Sequence, residues 1–67
     1  RWRKQALAAI QRACELDEMN GDYHKLAGKL FLQAGMSIRA ERYLKLALQW
    51  GGPDPEVEKT LAELKKG

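Results

Sequence analysis

Few side chains in this chain are suited to covalent chemistry. The single histidine is His24 and the single cysteine is Cys14. Neither has further Cys or His partners at the spacings that build zinc sites, so the sequence gathers too few donors for a metal. A cysteine nucleophile needs a base and an orienting group at hand. Cys14 instead occupies a small apolar position of a helical pattern, where it is expected to behave as a buried hydrophobe. His24 is expected on the surface or between helices. Carboxylates cluster as Glu15, Asp17 and Glu18, and again as Glu56 and Glu58. General acid–base work by such groups needs a walled pocket that displaces their pKa values, and short helices offer little wall. Phosphate-cradling glycine spacings (G-x-G-x-x-G or Walker type) are absent. The residues therefore point away from an enzyme and away from any cofactor.

Composition narrows the class further. The chain has 67 residues, with 12 Lys and Arg against 9 Asp and Glu, a net charge of +3 with the signs interspersed. A dedicated nucleic-acid binder usually concentrates its charge more than this. A lone cysteine cannot form an internal disulfide, which fits a reducing compartment and a cytoplasmic location. The longest uncharged run, Leu30 to Ile38, is far shorter than the roughly 20 residues a membrane span needs, and no signal-peptide pattern is present. A chain this short buries only about 60% of its unfolded surface. Its opening on Arg1 suggests an excerpt of a longer protein.

Helix formers dominate, and no sustained period-2 alternation marks a strand. A first helix is expected from about Trp2 to Leu16, with Ala6, Ala9, Ile10 and Ala13 on its apolar face and Cys14 at the edge. "DEMNGD" ends it with turn chemistry at Asn20 and Gly21. A second helix, about Asp22 to Ala34, places Tyr23, Leu26, Ala27, Leu30, Phe31 and Ala34 on one face, and Gly35 follows where a left-handed cap is wanted. Ser37 is expected to cap a third helix from about Ile38 to Trp50, with Glu41 in its first turn. "GGPDP" stops that helix and starts a fourth near Pro55, a residue tolerated at a first helical position.

Displaced by 34 residues, the sequence echoes itself. Ala6, Ile10, Ala13, Cys14 and Leu16 fall on Ala40, Leu44, Ala47, Leu48 and Trp50, while Asp22, Ala27, Gly28 and Leu30 fall on Glu56, Leu61, Ala62 and Leu64. Such a period, built of two helices, is a repeat-protein signal. Together with Gly28, Phe31, Gly35, Ala40, Leu44 and Ala47, which fill its small–large–small positions, the chain resembles the tetratricopeptide repeat. It departs from the family at His24, which commonly is a large aromatic, and at Ala27, which commonly is leucine; Tyr23 and Leu26 are expected to compensate, each one place early. Pro53 falls one place later than the family's closing proline. The resemblance implies an all-α fold of antiparallel helix-turn-helix repeats, an α-solenoid fragment. Residues 1–20 would be the second helix of one repeat plus a turn, 21–54 a complete repeat, and 55–67 the first or capping helix of the next.

The resemblance also implies where a partner would bind. Tetratricopeptide arrays line a concave groove with the first helix of each repeat. Here that helix presents Asp22, Lys25, Lys29, Leu32 and Gln33 away from its apolar stripe, and Glu56, Lys59 and Glu63 would continue the groove. Such a face suits a protein or peptide segment with acidic and hydrophobic residues. Some members clamp a partner's terminal carboxylate; Lys25 could serve in that clamp, but Lys29, Glu56 and Thr60 depart from its pattern. The implied function is a noncatalytic protein–protein interaction module, a scaffold or adaptor within a larger protein. The alternative is a basic helical module for nucleic acid, built on Arg39, Arg42 and Lys45 with Arg1, Arg3 and Lys4; Glu41 interrupts that stripe and only Tyr43 is near for stacking. Finally, Tyr43, Leu46 and Trp50 form an apolar edge beyond the core stripe of the third helix, and self-association through it is expected.

Overall fold

The computed structural model describes residues 2–66, apart from the side chain of Trp2. Four helices follow one another: α1 (Trp2–Leu16), α2 (Gly21–Gln33), α3 (Ser37–Gly51) and α4 (Pro55–Lys66), with no strand among the described residues. Each is joined to the next by three or four residues and packs against it, so α1 and α3 run one way and α2 and α4 the other. No helix of the described residues is long and apolar enough to cross a membrane.

The core lies between α2 and α3, and α1 covers one side of it. The buried residues of α2 are His24, Ala27, Gly28 and Phe31, the three-and-four spacing of a single helix face. They meet Ala40, Leu44 and Ala47 of α3. From α1 come Leu7, Ile10 and Cys14, joined to Ala27, Phe31 and Ala40 in one cluster. From α4 only Val57 is buried.

Two helix faces differ from their sequence reading. Tyr23 and Leu26 are 39% and 48% exposed, and neither substitutes for its neighbour. His24 itself takes the aromatic position. Its ring stacks on Tyr43 with centroids 6.1 Å apart, and Phe31 stacks on the same tyrosine at 5.2 Å, so Tyr43 of α3 is held between two rings of α2. On α1, Leu7 is buried while Ala9 is exposed, because the face that touches α2 is the narrow row Leu7, Ile10 and Cys14.

The helix ends explain where the chain turns. Gly35 has φ of +78°, its N–H donates to the Leu32 carbonyl, and the Met36 N–H donates to the Phe31 carbonyl; this pair of bonds is the Schellman closure. Ser37 does not cap α3: the capping position is Met36, with no side-chain hydrogen bond, and Ser37 is the first helical residue. The tight turn after Gly35 brings the chain into helix one residue early. Asn20, by contrast, is a true N-cap, its Oδ1 accepting from the Tyr23 N–H at 3.1 Å. Asn20→Ala should cost about 1 kcal/mol in urea unfolding, and Asn20→Asp should cost much less.

Candidate protein-binding surfaces

The polar face expected to bind a partner is assembled in part. Lys25 and Lys29 lie one turn apart on α2, and α4 begins beside them. Lys25 Nζ is 2.7 Å from Asp54 Oδ2 and 3.3 Å from Glu56 Oε1, and Lys29 Nζ is 2.9 Å from the same Glu56 oxygen. Both lysines are therefore engaged by carboxylates of this chain, and an acidic partner would have to displace them. Leu32 is half-buried and packs against the core cluster. Asp22, Gln33, Lys59 and Glu63 are exposed.

Asp54 organises this corner. One oxygen, Oδ1, accepts from the Glu56 and Val57 N–H groups and caps α4, while the other holds Lys25. Glu58 returns a bond to the Asp54 N–H. Lys25 lowers the Asp54 carboxyl below its ordinary range, and Lys29 followed by Lys25 does the same for Glu56; hydrogen bonds to Asp54 and then Glu56 raise the Lys25 ammonium. A carboxyl whose pKa is depressed on folding adds stability above its unfolded value, about pH 4, and that stability is lost as pH falls through the folded value. The Lys25 contribution is complete below its unfolded value of about 10.4 and is lost only above that. Acidification below about pH 4 should therefore loosen α4 from α2 before the α2–α3 core opens. Hydrogen exchange should show early loss of protection at Leu61 and Leu64, with Phe31 and Leu44 still protected.

The basic stripe of α3 is also partly neutralised, since Lys45 Nζ is 3.2 Å from Glu41 Oε2. Arg1, one of the amino-terminal cations grouped with that stripe, lies outside the described residues.

A different surface is apolar and open. A cleft of about 860 Å³ runs between the C-terminal half of α1, the 17–20 loop and α3. Tyr43, Leu46 and Trp50, the apolar edge recognised in the sequence, form one wall; Leu16 and Met19 form the other. Leu16 is 75% exposed, Met19 67% and Trp50 43%. Exposed apolar side chains gathered in one place, rather than scattered, mark interaction sites. Cys14 and His24 are buried beneath them. Burial, followed by the charge of Glu15, raises the Cys14 thiol.

No family model, curated protein or solved structure matches the chain.

His24 Nε2 lies 2.6 Å from the Glu18 carbonyl oxygen, which only accepts, so Nε2 carries the proton and ties the 17–20 loop to α2. His24 Nδ1 is buried with no hydrogen-bond partner among the described residues. Among the described residues no three His, Cys, Asp or Glu side chains come together as metal ligands.

Sequence reasoning missed the second wall of this cleft. Leu16 reads as the last apolar residue of α1 and Met19 as a turn residue, and neither belongs to a periodic face. It also missed Asp54, although an aspartate directly before a proline at a first helical position is a capping signal.

Proposed function

We propose that the chain is a noncatalytic protein-interaction module whose principal contact surface is the α1–α3 cleft. The observation that carries this reading is the exposure of Leu16, Met19 and Trp50 around one opening. Apolar side chains of this size contribute about 1.5–3 kcal/mol each when fully covered, and aromatic anchors within such clusters dominate binding. Lys25 and Lys29 compete poorly for the same role, since each already has a carboxylate partner. The repeat-like sequence pattern adds support, because helical repeats commonly serve as scaffolds.

The test is a nuclease-treated pull-down comparing wild type with Leu16→Lys/Met19→Lys and with Lys25→Glu/Lys29→Glu. Both residues of the first variant are at least two-thirds exposed, so its helicity should match wild type. A protein retained by wild type and by the lysine variant, and reduced at least tenfold by the cleft variant, is the expected result. Loss with the lysine variant alone would move binding to the α2–α4 face. Loss on nuclease treatment alone would favour the basic stripe and nucleic acid.

A further inference from the structure

The protein distributes its charges unevenly along its long direction. Segments 13–24 and 46–58 meet at one end, where α1 and α3 finish and α2 and α4 begin. They hold Glu15, Asp17, Glu18, Asp22, Asp54, Glu56 and Glu58 and no lysine or arginine; Asp54 and Glu56 already pair with Lys25 and Lys29 of α2, which leaves the cleft carboxylates Glu15, Asp17 and Glu18 to face a partner. The other end is formed by the start of α1, the 34–36 turn, the start of α3 and the end of α4. There stand Arg3, Lys4, Arg39, Lys65 and Lys66, with no carboxylate in segments 2–7, 33–40 or 64–66.

Each end also carries an exposed apolar feature. The acidic end opens into the α1–α3 cleft, where Glu15, Asp17 and Glu18 stand against the single cation Arg42. The basic end projects Ile38, which at 87% is the most exposed large apolar side chain of the described residues. Met36, 42% exposed, and Arg39 flank it. An isoleucine this exposed in the first turn of a helix is an apolar knob among the described residues.

We propose that copies of this chain associate head to tail, with the Met36–Ile38–Arg39 corner of one copy entering the α1–α3 cleft of the next. The proposal rests on the cleft being a protein-binding surface and names its occupant. Charge decides the arrangement. Two clefts placed face to face would set Glu15, Asp17 and Glu18 against their own copies, and like charges across an interface are repulsive. Cleft against basic corner matches opposite charge and covers Leu16, Met19, Trp50 and Ile38 together. Such a contact uses two different patches and does not close on itself, so assembly continues beyond the dimer.

Sedimentation equilibrium of the 67-residue chain at low salt tests this. Two variants each remove one patch: Ile38→Glu and Leu16→Lys/Met19→Lys. An acid in the first turn of α3 and a cation in the last turn of α1 both suit the helix dipoles, so folding should be retained and circular dichroism checks it. Wild-type mass should climb past that of a dimer as concentration rises, and fall back in about 1 M salt, where the screening length is about 3 Å. Each variant alone should associate at least tenfold more weakly. An equimolar mixture of the two variants should form a dimer and stop there, since one intact knob meets one intact cleft. A monomeric wild type at millimolar concentration, or a mixture that stays monomeric, overturns the proposal. Closed dimers that survive in Ile38→Glu overturn it as well. If wild type stays monomeric yet a cleft-dependent partner is recovered from lysate, the occupant is wrong and the cleft assignment stands.

Discussion

Gly28→Ala should destabilise the chain by about 1–3 kcal/mol, the usual cost of overfilling a packed core. An isolated helix would gain from this change, because glycine is about 1 kcal/mol worse than alanine in a helix interior. The packing reverses the sign. A Cβ on Gly28 would lie 2.5 Å from Leu44 Cδ2 and 2.7 Å from Cγ, with the Ala40 carbonyl oxygen at 3.4 Å. Leu44 is 1% exposed, so its branched end has no solvent to retreat into. Small domains hold on the order of 3–10 kcal/mol in total, so this one methyl removes a large share. Leu44→Ala alone should cost about 2–5 kcal/mol. In that background Gly28→Ala should be close to neutral or stabilising, because the added methyl enters the space the leucine vacated. Urea unfolding of the four proteins measures the coupling. A neutral Gly28→Ala in the wild-type background would mean that α2 and α3 do not approach this closely.

Gly21→Ala should be at least as costly, again about 1–3 kcal/mol, and for a less forgiving reason. Its Cβ would lie 2.5 Å from both Cα and N of Gly51, and 3.2 Å from the Ala47 carbonyl oxygen. These are backbone atoms, and no rotamer change moves them. The start of α2 and the end of α3 would have to part. The reverse substitution is milder, since a Cβ on Gly51 meets Gly21 Cα at 3.4 Å, an ordinary contact. Gly51→Ala should therefore stay within about 0.5 kcal/mol of wild type. The asymmetry is the signature to look for in thermal unfolding, and equal effects would contradict the crossing geometry. Gly21→Ala should also weaken binding at the cleft, because Trp50 and Met19 stand beside that crossing.

These glycines show how far the sequence could be read. Gly28, read as a small position of the repeat pattern, lies where α2 and α3 approach closely, and Gly35 forms the left-handed cap its position implied. Gly21 looked like turn chemistry beside Asn20; its contact with Gly51 joins residues 30 positions apart, which no local pattern encodes. The four helices were legible from periodicity to within a residue or two. The face of α2 was not, because His24 is polar by composition and aromatic by packing, and only the stack on Tyr43 decides between them. Lys25 and Lys29 read as free cations because their partners come from the start of α4, about 30 positions further along the chain. One wall of the cleft was visible as Tyr43, Leu46 and Trp50. The other, Leu16 and Met19, was hidden by the loop that positions it.

The central claim is that binding uses the apolar α1–α3 cleft rather than the charged α2–α4 face. An amide NMR titration of the labelled chain with the protein recovered in the pull-down tests it most directly. Glu15, Leu16, Met19, Leu46 and Trp50 should shift with a common saturation curve, while Asp22, Lys25, Lys29, Lys59 and Glu63 stay in place. Shifts confined to the second set, with the cleft resonances unmoved, would contradict it.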